Sequence, residues 1–104
     1  MIVLTLDQAR RIAEVLLESV QQGIDEPLTL IDPPTRFNDG WIFVYNSKRH
    51  LETGEISFAL GGNIPMAIYR SGEVEWLDTA HSLRTHVDRL NARRSDTADA
   101  DADP

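Results

Sequence analysis

A chain of 104 residues can build one self-sufficient hydrophobic core but is too short for two. Its hydrophobic content of 41% is that of an ordinary globular protein, and it has no cysteine, which excludes a disulfide framework and a thiolate metal centre. The formal net charge of −7 argues against nucleic-acid binding, because phosphate affinity rests on Lys and Arg displacing counterions.

Thr5 followed by Gln8 fits a capping box, in which each side chain satisfies a backbone N–H of the other. Behind it Ala9, Ile12, Ala13, Leu16 and Val20 recur at helical spacing, with Arg10, Arg11, Glu14 and Glu18 mostly off that stripe. The pattern predicts a core-facing helix over residues 5–21, stopped near Gly23. Leu28 to Ile31 is a short β-prone run ended by Asp32-Pro33-Pro34. Two prolines cannot continue a central ladder, so this strand is short or lies at a sheet edge. Asn38-Asp39-Gly40 is turn chemistry. In GWIFVYNS, Trp41, Phe43 and Tyr45 share one strand face and Ile42, Val44 and Asn46 the other. Apolar groups on both faces predict a central strand.

His50 and Glu52 read as alternating along the end of that strand, which leaves the core and turns at Glu52-Thr53-Gly54. A connection then runs through Ile56, Phe58, Ala59 and Leu60 to Gly61-Gly62-Asn63. Pro65 starts a strand from Met66 to Tyr69, and Arg70-Ser71-Gly72 joins it to Val74 to Leu77 as a hairpin. Leu83, Val87 and Leu90 predict a second helix from about Ser82 to Arg93, its last-turn arginines favoured by the helix dipole. From Ser95 the Asp/Ala alternation has no apolar anchor and predicts a disordered acidic tail over 95–104. The expected architecture is a single α+β domain over 1–94 in the order α-β-β-β-β-α. Its four-stranded, mainly antiparallel sheet is covered on one face by the N-terminal and C-terminal helices. Trp41 and Trp76 are read as core residues.

The charge is unevenly distributed. The tail carries four of the acids, residues 21–80 hold nine acids against four bases, and residues 81–94 hold one acid against four bases. Direct nucleic-acid contact is therefore not expected, whereas an acidic middle segment suits a basic protein partner. No apolar run reaches the roughly 18 residues of a membrane span. The opening MIVLTLDQARR places its apolar segment before its arginines, the reverse of a secretory signal. A cytoplasmic protein without membrane contact is the expectation.

A search for chemistry finds none. His81 and His86 are five residues apart, which on a helix turns them about 140° away from each other. They are not expected to chelate a metal as an i,i+4 pair would. Asp78 and His81 read as a capping or surface pair, and His50 with Glu52 as a solvated pair. Ser47, Ser57 and Ser82 lack a nucleophile-elbow context. Gly61-Gly62-Asn63 lacks the Lys and the following helix of a phosphate-binding loop, and no D-x-D-x-D-G calcium loop occurs. An enzyme is disfavoured, and no cofactor or metal is expected.

Several short motifs occur in a distinctive order: Gly40-Trp41-Ile42-Phe43-Val44-Tyr45-Asn46-Ser47, Leu51-Glu52-Thr53-Gly54, Ala59-Leu60-Gly61-Gly62-Asn63-Ile64-Pro65 and Thr79-Ala80. Together they resemble the immunity protein 35 family, also called the YrhB domain, over roughly residues 5–93. Three positions depart from its usual pattern: His50 stands where an aromatic residue is usual, Asp78 where Gly is typical, and His81 where Pro is frequent. The resemblance implies a small α+β protein that binds and neutralises a cognate bacterial toxin by steric and electrostatic blockade. It carries over no catalytic residue. The alternative within the family is a chaperone-like module without one dedicated partner. Recognition on a rigid scaffold concentrates on loops, so Asp39, His50, Glu52, Thr53, Glu55 and Asn63 are the expected partner-binding residues.

Overall fold

The computed structural model describes residues 3–55 and 63–102, with side chains among them as far as residue 93. The elements are α1 (Leu6–Gln21), β1 (Leu28–Phe37), β2 (Gly40–Ser47), α2 (Lys48–Thr53), β3 (Met66–Tyr69), β4 (Val74–Trp76) and α3 (Leu83–Ala102). One antiparallel sheet runs in the order β1-β2-β3-β4. The α+β class, the four strands and the two terminal helices agree with the sequence. The expected connection through Ile56, Phe58, Ala59, Leu60, Gly61 and Gly62 lies outside the described residues.

The capping box forms. The Thr5 hydroxyl accepts from the Gln8 N–H at 3.3 Å, and the Thr5 N–H donates to Gln8 Oε1 at 2.8 Å. The helix ends on a right-handed cap at Gln22 rather than on a left-handed Gly23. The Gln21 side chain governs the exit. Its Nε2 donates to the carbonyls of Ile24 and Glu26, and its Oε1 accepts from the Leu28 N–H at 2.8 Å. One side chain thus holds the chain from α1 into β1.

β1 is longer than its prolines predict. The ladder with β2 runs from Leu28 to Ile31, shifts register, and resumes at Thr35. Pro33 and Pro34 fall in that shift, on an edge strand, where a missing N–H costs no central pairing. At the other end of the hairpin, Gly40 pairs with both Phe37 and Tyr69. A Cβ there would run into the Ile68 carbonyl oxygen and come within 2.9 Å of Tyr69 Cα. Close approach of β3, beyond turn chemistry, requires glycine at this position.

β2 lies between β1 and β3, and both its faces are covered. Trp41, Phe43 and Tyr45 join Ala9 and Ala13 of α1 with Met66 and Ile68 of β3 in one cluster. Ile42 and Ala67 join Phe37 and Leu90 of α3 in a second, with Tyr69, Leu77 and Val87 against it. The helices therefore cover opposite faces of the sheet, correcting the expectation of one covered face. The reason is the strict alternation of β2 and β3, which sends large apolar groups both ways.

Two further boundaries differ. Residues 48–53 are the short helix α2, so His50 and Glu52 do not alternate along a strand. Ser47 caps the helix, accepting from the His50 N–H at 3.3 Å. Gly54 closes it in the left-handed conformation, φ 75°. At the C-terminal end α3 continues as helix to Ala102, past the expected end at Arg93 and into the segment expected to be disordered. No Gly or Pro interrupts residues 83–102, and Ala92, Ala98, Ala100 and Ala102 are strong helix formers. Among the described residues no helix is long and apolar enough to cross a membrane.

Candidate functional site

The fold sorts the expected partner-binding residues into two places. His50, Glu52 and Thr53 lie on α2, Glu55 follows its cap, and Asn63 is tied to the same end of β2, its Nδ2 donating to the Tyr45 carbonyl. Asp39 sits in the turn before β2, about 25 Å away along an eight-residue strand at roughly 3.3 Å per residue. Its carbonyl accepts from the Arg70 N–H at 2.8 Å.

The α2 end is locally braced. His50 Nδ1 donates to the Glu55 carbonyl at 3.0 Å, and the Thr53 hydroxyl donates to the Arg49 carbonyl at 2.7 Å. Ser47, weighed in the sequence as a nucleophile, is fully buried and donates to Glu26 Oε1 at 3.0 Å. That bond, with its capping role, accounts for its hydroxyl. Glu52, Thr53 and Glu55 are exposed, while His50 and Asn63 are half-buried. Lys48 lies 4.0 Å from Glu52, and Arg49 lies 3.6 Å from Glu26. Lys48 and Arg49 stand beside Glu52 and Glu55, so this is a surface of mixed charge on a short, capped helix.

A second region has no counterpart in the sequence reading. A groove of about 560 Å³ runs between β4 and α3, lined by Glu75, Trp76, Asp78, His86, Arg89 and Arg93 among others. Trp76, read from the sequence as core, is 43% exposed here, because β4 is a three-residue strand at the sheet edge. Trp41 is buried as expected, at 9%. Within the groove Arg93 Nη2 donates to Glu75 Oε1 at 2.5 Å and to the Tyr69 hydroxyl at 2.9 Å. The Tyr69 hydroxyl donates to the same Glu75 oxygen at 2.7 Å. Burial alone would raise the Glu75 carboxyl, but the donors Arg93 and Tyr69 more than offset it and hold it below its ordinary value. Burial, then the bond to Glu75, pushes the Tyr69 phenol up.

At one end of this groove Asp78, His81 and His86 converge. His81 Nδ1 donates to Asp78 Oδ1 at 2.9 Å. His86 Nε2 donates to the Asp78 carbonyl at 2.9 Å and lies 3.4 Å from Asp78 Oδ1. The two rings are 5.8 Å apart, edge to face. The hydrogen bond from His81 holds the Asp78 carboxyl below its ordinary value, with the Ala80 N–H adding to the effect. Helical spacing sets the two histidines apart, and the structure overturns that argument. His81 precedes α3, whose first turn is capped by Ser82 Oγ accepting from the Thr85 N–H at 3.1 Å. A helical projection does not apply across a cap, and Ser82-Leu83-Arg84-Thr85 is the signal in the sequence that could have shown this. Among the described residues these three offer the donor atoms suited to a metal, one from each lying within 4.8 Å of the others.

With the two-sided sheet and its surfaces in view, the chain falls into a known class. A sequence profile of the Immunity protein 35 family matches residues 7–86, and the chain belongs to that family. Uncharacterized protein YrhB of Escherichia coli (strain K12) is similar to it, 34% identical over 61 residues, which are 58% of this chain. The match spans 65% of that relative's own length. No solved structure matches.

Proposed function

We propose that this chain is an immunity-type inhibitor that binds a cognate bacterial toxin and blocks its active site or substrate entry. Membership of the Immunity protein 35 family carries this reading. The net charge of −7 supports a toxin of basic character, because complementary potentials steer encounter and fix register. The contact centres on α2 and its flanks: His50, Glu52, Thr53, Glu55 and Asn63. A short helix pinned by Ser47 and Gly54 presents these groups with little ordering left to lose on binding. Asp39, at the far end of β2, belongs to the edge of such an interface or to a separate patch. No catalytic step is part of this function: inhibition comes from occupying the toxin's surface.

The test is co-expression of this chain with the toxin domain encoded beside its gene. Rescue of growth and a stable one-to-one complex are the expected results. Glu52→Lys and Glu55→Lys should each weaken that complex at least about tenfold, mainly through faster dissociation. Absence of any complex with the neighbouring toxin overturns the reading. A complex indifferent to both substitutions removes the α2 surface from it.

A further inference from the structure

We propose that Asp78, His81 and His86 form a binding site for one divalent first-row transition cation of the Zn²⁺ type. The ligand set is one carboxylate oxygen and two imidazole nitrogens, the donors that borderline cations such as Zn²⁺ take in proteins. The geometry is already close to that of a coordination sphere. Two ligands each about 2.1 Å from a tetrahedral Zn²⁺ stand about 3.4 Å apart. His86 Nε2 is 3.4 Å from Asp78 Oδ1, and His81 Nδ1 is 2.9 Å from the same oxygen. All three donor atoms fall within 4.8 Å of one another, so closing the most distant pair to that spacing takes at most about 1.4 Å.

The surroundings fix two of the three ligands in advance. Asp78 Oδ1 accepts from the Ala80 N–H at 3.1 Å, which orients the carboxylate within the turn. His86 is 5% exposed and rises from α3 one turn before Leu90, a member of the second core cluster. His81, with its side chain 34% exposed, is the ligand free to adjust. A cation would replace the hydrogen that His81 Nδ1 now shares with Asp78. His86 would carry its proton on Nδ1, and its Nε2 would exchange its hydrogen bond to the Asp78 carbonyl for the cation, that carbonyl turning aside. Three protein ligands leave a further position for water or for a side chain of a bound protein. Such a cation clasps the segment after β4 to α3, at the end of the groove that holds Trp76. It acts independently of the α2 surface, so the fate of the toxin-binding proposal does not decide it.

The test is titration of the metal-stripped full chain with Zn²⁺ by calorimetry, and with Co²⁺ by visible absorption. One cation per chain, tetrahedral Co²⁺ bands and a raised melting temperature are expected, since a ligand of the folded state stabilises it by mass action. Affinity should fall in acid, because metal binding requires deprotonated ligands. His81→Ala and Asp78→Asn should each raise the Kd at least about tenfold, the loss typical of a disturbed metal site, while His50→Ala leaves it unchanged. Circular dichroism of these two variants verifies that they fold, and they carry the test if His86→Ala does not. No stoichiometric uptake by the wild type, or wild-type affinity in a folded His81→Ala, overturns the proposal.

Discussion

Glu75 shows how much of a residue's behaviour comes from neighbours distant in sequence. It sits on an edge strand, accepts from Arg93 of α3 and Tyr69 of β3, and is thereby held ionised below its ordinary value of 4.5. A carboxyl whose folded value is depressed lends stability above its unfolded value and loses it as pH falls through the folded one. Asp78, depressed by its bond from His81, acts with the same sign. Thermal melting should therefore worsen with acid below 4.5. Glu75→Gln should cost under about 1 kcal/mol near neutral pH, because the pair with Arg93 is partly solvated. It should also flatten the fall in melting temperature between about pH 5 and pH 3. A wild-type-like acid profile in this variant would show that the carboxylate is not held as described. None of this is readable from sequence: Glu75, Tyr69 and Arg93 have no periodic relation, and only the sheet brings them together.

At the level of elements, legibility follows the number of repeats available. α1 offers four turns of apolar recurrence and a two-sided capping box, and its start is legible to within a residue. α2, with six residues, offers less than two turns, so periodicity cannot reveal it. Its signature is in its ends, Ser47 as cap and Gly54 as left-handed stop. The strand-like run before it masks both. β1 exceeds its expected length because its prolines look terminal, whereas an edge strand absorbs them in a register shift. The stripe of α1 also makes a quantitative claim. Ala9 and Ala13 are wholly buried against Trp41, Phe43 and Tyr45, so the helix lies close to the sheet. Ala13→Leu should overpack this contact and cost about 1–3 kcal/mol in urea unfolding. Val15→Ala, at a position 61% exposed, should stay within about 0.5 kcal/mol. Equal effects at the two positions would mean that α1 is not seated on that face.

For the whole molecule, stability should reside in the sheet and the two apolar clusters on its faces. Between Leu90 and the final Pro104 the chain holds no apolar residue larger than alanine, so nothing beyond α3's first turns can bury much surface. Deleting residues 95–104 should leave the urea midpoint unchanged while removing four of the chain's negative charges. A clear loss of stability would mean that the far end of α3 packs on the domain.

The sequence by itself determined the class of fold, the central place of β2 and the family, and narrowed β1 to a short or an edge strand, because each rests on local periodicity, turn chemistry or ordered motifs. Tertiary structure alone decided that the helices lie on opposite faces, that Trp76 stays half exposed, and that Asp78, His81 and His86 meet beside a groove. Those outcomes depend on which helix docks on which face of the sheet and on how the segment after β4 packs against α3. Both are set by packing between segments far apart in sequence, which no local pattern encodes.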